Sequence, residues 1–134
     1  MRVFLGGTCS GYKWRDKLIP MLECDYYNPI VKNWSEKDRL REVHERETAD
    51  YVVYVITSGM KGVYSIAEII DDSNKRPEKT IVCVLKDGIN QQMSHSLDAV
   101  LKLASDNGAT ICANLAAIAT FLNIENAKEK INGF

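Results

Sequence analysis

Short apolar runs alternate along this chain with longer segments that are amphipathic or strongly charged. Five runs are rich in β-branched and aromatic residues and are predicted as strands, at residues 2–5, 24–27, 51–57, 80–85 and 109–112. Strands that are apolar at nearly every position are buried on both faces, which is typical of a parallel sheet. The pattern therefore predicts one α/β domain over residues 1–134, a three-layer sandwich whose five-stranded parallel sheet has the flavodoxin-like order 2-1-3-4-5.

The ends of the predicted helices depend on capping residues and on one proline. Ser35 is predicted to cap a highly charged helix from about Glu36 to Thr48. Pro20 interrupts the first helical segment, so that helix is either kinked there or begins late enough to hold Pro20 in its first turn. Later caps are predicted at Ser94 or Ser96 and at Asn114.

Net charge, the length of apolar runs and the spacing of cysteines exclude several classes of partner and site. A net charge of −1 gives no basic field, which argues against a duplex nucleic acid partner. No apolar run reaches the roughly 20 residues that span a bilayer and no signal peptide precedes the first strand, so a cytoplasmic protein with no membrane contact is expected. The cysteines form no CxxC pair, which indicates reduced thiols and neither disulfides nor a metal site; they are Cys9, Cys24, Cys83 and Cys112.

Two loops rich in small residues follow the first and third strands. They are Gly6–Gly11 and Ser58–Gly62. In the order 2-1-3-4-5 the connections reverse between strands one and three, so both loops are predicted to meet at one crevice on the carboxyl edge of the sheet. The first loop resembles a phosphate or sugar cradle, although a tight strand-to-helix turn explains it equally well.

Several polar residues are candidates for chemistry at that edge. Glu68, on the helix after the third strand, is either a carboxylate nucleophile for a sugar or the second half of a capping box that begins at Ser65. Asn28 either presents its amide to the same edge or only forms a turn. Glu42 lies near the carboxyl edge, whereas Asp50 begins a strand at the opposite end and is predicted to be structural.

Short motifs extend over nearly the whole chain. They are Val3-Phe-Leu-Gly-Gly-Thr8, Trp14-Arg15, Leu18-Ile-Pro20, Tyr27-Asn-Pro29, Trp34, Ala49-Asp50, Tyr54-Val-Ile-Thr57, Gly62-Val-Tyr-Ser-Ile-Ala-Glu68, Ser96-Leu-Asp-Ala-Val100, Gly108-Ala109 and Phe121-Leu-Asn123. Together they resemble the nucleoside 2-deoxyribosyltransferase-like proteins. No single motif is diagnostic, and the resemblance comes from the set.

The resemblance implies an enzyme that cleaves or transfers at the N-glycosidic bond of a 2′-deoxynucleoside or its 5′-monophosphate, with Glu68 as nucleophile and without a metal or cofactor. It implies that small residues hold the sugar or phosphate: Gly6, Gly7, Thr8, Ser58, Gly59, Gly62 and Ser65. It places Asn28, Trp34 and Glu42 where they face the base. It also implies a homo-oligomer, in which Phe134 is a candidate to complete a neighbour's site.

Two departures from the family pattern concern recognition of the base. Characterised transferases carry an acidic residue six positions before the nucleophile, where this chain has Gly62, and an aromatic residue early in the first loop, where it has Gly7 and Thr8. The alternative function is a non-catalytic nucleotide or nucleotide-sugar binding domain, in which Glu68 only caps its helix. Flavin binding at the same edge is disfavoured because no aromatic-rich loop stands out.

Overall fold

The computed structural model describes residues 1–133, in which five strands alternate with five α-helices. The strands are β1 (Arg2–Gly7), β2 (Asp25–Tyr27), β3 (Tyr51–Ile56), β4 (Thr80–Val84) and β5 (Thr110–Cys112). The helices are α1 (Trp14–Leu18), α2 (Glu36–Thr48), α3 (Tyr64–Lys75), α4 (Gln91–Asp106) and α5 (Leu115–Asn132). All strand pairs are parallel and the order is β2-β1-β3-β4-β5, which confirms the predicted flavodoxin-like sandwich. The prediction for Phe134 lies outside the described residues.

The sheet is buried on both faces because successive strand side chains point to opposite sides. On one face, Val53 and Val55 pack with apolar residues of α1 and α5. On the other face, Val52, Tyr54 and Ile56 pack with residues of α3 and α4. The central strands β3 and β4 are therefore buried at nearly every position, whereas the edge strands β2 and β5 are partly exposed. Each buried aliphatic side chain contributes roughly 1.5 to 3 kcal/mol.

Local capping explains where most helices begin. The Ser35 backbone N–H donates to Asp38 Oδ2 at 3.0 Å, which confirms Ser35 as the cap of α2. Asn114 Oδ1 accepts the Ala117 N–H at 2.8 Å, which confirms that cap as well. The predicted caps Ser94 and Ser96 are wrong: Asn90 caps α4 and accepts the Met93 N–H at 2.8 Å, so the helix begins a full turn earlier.

Pro20 divides the first helical segment. Helix α1 ends at Leu18, and Pro20 lies in the 3-10 turn Ile19–Met21 that follows. The α-helix stops there because proline has no N–H to donate and its ring obstructs the preceding turn. Pro20 therefore separates two short helical pieces, and α1 is neither a long kinked helix nor one that begins at the proline.

The four cysteines are all free, and they lie in different environments. Cys83 and Cys112 are core residues, and burial raises the pKa of Cys83 to about 12. Cys24 is half-buried, whereas Cys9 is exposed at the carboxyl edge of the sheet and is not a core thiol.

Across residues 1–133, every helix is too short or too polar to reach through a lipid bilayer.

Asp50 lies at the amino edge of the sheet, as its position before β3 predicts. Its carboxylate accepts the backbone N–H of Arg2 at 2.8 Å. The bond ties the start of β1 to the start of β3, where the two strands are paired through Val3 and Tyr51. The residue is structural, and it is far along the strands from the loops at the carboxyl edge.

Candidate functional site

A crevice of about 640 Å³ opens at the carboxyl ends of β1 and β3. Five parts of the chain form it: β1 with the loop that follows it, α1, the segment after β2, the first half of α2 and the first turns of α3. Its lining residues are Phe4, Gly6, Gly7, Cys9, Arg15, Pro29, Ile30, Val31, Trp34, Arg39, Glu42, Tyr64, Ser65 and Glu68. The lining is apolar and aromatic on the side of residues 29–34 and carries charged groups on α1, α2 and α3.

The two glycine-rich loops meet backbone to backbone beside this crevice. A Cβ atom on Gly59 would lie 2.0 Å from the Ser10 carbonyl oxygen, so only glycine permits this approach. Gly7 has a φ of 115°, and a Cβ there would lie 2.2 Å from the Val55 carbonyl oxygen. The loops enclose a second cavity of about 180 Å³ that shares Gly7 and Ser65 with the crevice.

Glu68 lies on the wall of the crevice, in the second turn of α3. The helix begins at Tyr64 and its N-cap is Val63, so Ser65 is already inside the first turn and makes no capping bond. The capping-box alternative for Ser65 and Glu68 is therefore wrong. The Glu68 side chain is 11% exposed, and its Oε2 lies 3.6 Å from Nε of Arg46.

The electrostatics of the crevice favour a protonated form of its carboxyl groups. Burial raises the pKa of Glu68 to about 7; Arg46 opposes this shift and Glu42 adds to it. Burial also raises the pKa of Glu42. A carboxyl group whose pKa lies near neutrality exchanges between its charged and neutral forms at physiological pH, as acid–base and nucleophilic groups in active sites do.

Two buried arginines flank these carboxyl groups. Arg15 donates from Nε to the Leu5 carbonyl at 3.0 Å and from Nη1 to the Thr8 carbonyl at 2.8 Å, and burial lowers its pKa. Arg15 therefore fixes the end of β1 and the loop that follows it. The second arginine, Arg46, is held by groups from the neighbouring strand and helix.

The contacts of Arg46 join α2, β3 and α3 in one hydrogen-bonded network. Nε donates to the Tyr54 hydroxyl at 3.1 Å, and Nη2 donates to Asp72 Oδ1 at 3.1 Å and to Asp71 Oδ2 at 3.0 Å. The Tyr54 hydroxyl itself donates to Asp72, which is fully buried. Burial opposes the charge on Arg46, but the bonds to Asp72 and the nearby acidic groups leave its pKa raised.

Comparison with known protein families identifies the family to which this chain belongs. A family model described as nucleoside 2-deoxyribosyltransferase like matches residues 1–88, which include β1 to β4 and every residue of the crevice. The chain belongs to the nucleoside 2-deoxyribosyltransferase-like family. No curated protein matches the chain.

Several residues expected from the resemblance to the nucleoside 2-deoxyribosyltransferase-like family lie around one site. Gly6, Gly7, Trp34, Glu42 and Ser65 line the crevice together with Glu68. The other two glycines expected to bind substrate, Gly59 and Gly62, line the smaller adjoining cavity. Trp34 is 55% exposed at the mouth of the crevice, so its indole presents a large apolar face to solvent.

Three other expected residues are placed differently. Asn28 Oδ1 accepts the Ile30 N–H at 3.1 Å, which is a turn, and the residue lies in a cavity beside α1 instead. Thr8 lines the smaller cavity, but its hydroxyl is buried and accepts the Thr57 N–H at 3.0 Å, so it joins the two loops. Ser58 lies toward α4 and α5, in cavities away from Glu68. The side chains of Asn28 and Thr8 therefore have hydrogen-bonded structural roles at the strand ends.

Arg46 is the main functional candidate that sequence reasoning missed. Two spacings contain the signal: Glu42 and Arg46 are four residues apart, as are Glu68 and Asp72, so each pair shares a helix face. Tyr54, a hydroxyl in an otherwise apolar buried strand, needs a partner there. Charged residues occupy most positions of this helix, as they do on a solvated surface, and they conceal its one inward-facing edge.

Proposed function

We propose that the protein cleaves or transfers at the N-glycosidic bond of a 2′-deoxynucleoside or its 5′-monophosphate, with Glu68 as the nucleophile. The observation that carries this proposal is the position of the Glu68 carboxyl group, largely buried on the wall of a crevice beside glycine-rich loops. Family membership supports the same chemistry at the coarser level of nucleoside deoxyribosyl transfer.

The proposed reaction has two steps. A Glu68 oxygen attacks C1′ of the sugar, the C1′–N bond breaks, and the base leaves with the bonding electron pair. Glu42, whose pKa is raised by burial, is the group that gives the departing base its proton in this proposal. Water or a second base then attacks C1′ and gives up a proton to Glu42, which releases the Glu68 carboxylate. The absent 2′-hydroxyl favours the first step because no electron-withdrawing oxygen opposes positive charge at C1′.

The shape of the crevice suits the parts of such a substrate. The glycines at the end of β1 leave room for a sugar close to the backbone, and Trp34 and Ile30 offer apolar surface to a planar base. The adjoining cavity of about 180 Å³ contains Lys61 and lies at the amino end of α3. Backbone N–H groups and a cation at that end would hold a 5′-phosphate.

We include a homo-oligomer in the proposal because apolar side chains surround the crevice mouth. Val63 and Tyr64 are 76% and 63% exposed at the start of α3. A neighbouring subunit that packs there would shield the reaction from bulk water. Size-exclusion chromatography with light scattering tests this part, and a monomer at micromolar concentration would remove it.

Non-catalytic binding of a nucleotide or nucleotide sugar is the second candidate. Gly62 favours it, because the acidic group that transferases use for the base is missing at that position. Both functions predict a ligand in the crevice, so a binding measurement alone does not separate them.

The deciding experiment incubates the protein with deoxynucleosides and their 5′-monophosphates and measures free base by chromatography. We expect release that Glu68→Ala reduces by about 10³-fold or more, as for loss of a nucleophile. Glu47→Gln, on the exposed side of α2, is the matched control and should leave release unchanged. Binding of these ligands without release of base would refute the enzyme and support the binding domain.

A further inference from the structure

Arg46 stands out among the groups around Glu68 because it contacts the carboxylate and is itself immobilised. Its side chain is 8% exposed, and its guanidinium binds partners on two other elements, Tyr54 on β3 and Asp72 on α3. A guanidinium held at two nitrogens keeps one orientation. Its Nε hydrogen is donated to Tyr54 and Asp72, so Nε, at 3.6 Å from Glu68 Oε2, acts on Glu68 as a fixed positive charge and not as a hydrogen-bond donor.

We infer that Arg46 is a positioning residue for the proposed reaction, in which the Tyr54–Asp72 pair fixes its guanidinium and this fixed charge orients the Glu68 carboxylate and favours its ionised form. This inference rests on the proposed function and adds to it a residue that does not touch the substrate. The hydrogen-bonded network of α2, β3 and α3 then has a role in the reaction as well as in joining these elements.

The charges around Glu68 show why Arg46 has the decisive position. The groups that influence the Glu68 carboxyl are Arg15 from α1, Glu42 and Arg46 from α2, Tyr54 from β3 and Asp72 from α3. Glu42 and Asp72 repel a charged carboxylate, and Arg46 has the larger favourable effect of the two arginines. Loss of Arg46 would leave only the smaller effect of Arg15 to oppose burial and the two acidic neighbours, which favour the neutral, non-nucleophilic form of Glu68.

Asp72 and Arg76 provide a matched control within the same network. Arg76 donates from Nε to Asp72 Oδ1 at 3.2 Å, so it pairs with the same buried carboxylate as Arg46. The ion pair of Arg76 is with Asp72, whereas Arg46 pairs with Glu68 as well. Arg76→Met therefore weakens the network as Arg46→Met does, but leaves the guanidinium beside Glu68 in place.

The first measurement is the pH profile of base release for the wild type, Arg46→Met and Arg76→Met. We expect Arg46→Met to lower the rate at pH 7 by about tenfold or more and to move the midpoint of the profile upward by about one pH unit or more. The loss should shrink at high pH, where Glu68 ionises again. Arg76→Met should keep the wild-type midpoint. An unchanged midpoint in Arg46→Met would overturn the inference.

The second measurement does not depend on activity. The difference in free energy of unfolding between each protein and its Glu68→Gln counterpart reports the protonation of Glu68 by linkage. The pH range over which this free-energy difference changes should extend upward in Arg46→Met and stay unchanged in Arg76→Met. If the wild type releases no base, the proposed function and the role in reaction fail together, and this titration separately shows whether Arg46 controls the charge on Glu68.

Arg46→Lys completes the test if Arg46→Met does not fold. Lysine keeps the charge but lacks the planar fork that binds Tyr54 and Asp72 while facing Glu68. We expect it to fold, to keep the pH midpoint near that of the wild type, and to release base several-fold more slowly because the carboxylate is held less well. A lysine variant with wild-type release at every pH would refute positioning by the guanidinium.

Discussion

Glu68 should reduce the stability of the folded protein as the pH rises, and Glu68→Gln should remove that effect. Burial raises the pKa of this carboxyl group from 4.5 to about 7. Between these two values the unfolded chain has already released the proton while the folded chain still holds it. The folded state therefore binds more protons than the unfolded state, and stability falls as the pH increases through this range.

The size of the effect follows from the same two pKa values. The interval from 4.5 to about 7 is about 2.5 pH units, and at about 1.4 kcal/mol per unit it amounts to about 3 kcal/mol. The side chain is only 11% exposed, so solvent screens little of it. Glutamine is neutral at every pH and nearly the same size. Arg46 keeps Asp71 and Asp72 as partners in the variant, so no buried cation is left unpaired.

Urea unfolding of both proteins between pH about 4.5 and about 8 measures the difference. We expect the two to be similarly stable near pH 4.5, the variant to gain steadily up to pH about 7, and a plateau of about 3 kcal/mol in its favour above that. Glu47→Gln, on the exposed surface of α2, is the control and should differ from the wild type by a constant small amount. A difference that does not change with pH, or that grows as the pH falls, would refute the reasoning about Glu68.

Three further predictions concern the same site and the fold that holds it. Base release should rise as the pH increases toward about 7, because Glu68 attacks in its ionised form; a pH–rate profile checks this, and the absence of a rising limb in that range contradicts it. Gly59→Ala, whose Cβ would lie 2.0 Å from the Ser10 carbonyl oxygen, should destabilise the protein by about 2 kcal/mol or more. Gly62→Ala, which meets nothing within 4 Å, is the control, and equal thermal midpoints for the two would disprove the close approach of the loops. Asn114→Ala should lower the free energy of unfolding by about 1 kcal/mol through loss of the α5 cap; an unchanged urea midpoint would show that the cap contributes nothing.

The predicted elements agree with the structure where the signal is local. Helix α2 has its expected bounds because Ser35 and Asp38 form a cap within four residues of one another. The strands agree because burial on both faces leaves an uninterrupted apolar run. The start of α4 was placed too late because its first turn is polar, and hydrophobic spacing indicates only the residues after that turn.

The candidate site could be predicted less completely, because its geometry depends on contacts between distant parts of the chain. Ser65 and Glu68 have the spacing of a capping box, but the helix begins at Tyr64 and Glu68 lies beside Arg46 instead. The burial of Arg46 depends on Asp72, 26 residues away. The spacing of Glu42 and Arg46 places both on one face of α2, but only the distant partner Asp72 shows that this face is turned inward.

The contact between the two loops has a consequence for how new substrate preferences arise. Gly7, which lines the crevice, and Gly59, which lines the adjoining cavity, have no space for even one methyl group, so this side of the site cannot gain a larger residue without moving the backbone. The opposite wall, formed by residues 29–34 and α2, consists of side chains that project from a separate part of the chain. Variants selected for a different base should therefore accumulate changes on that wall while the glycines persist.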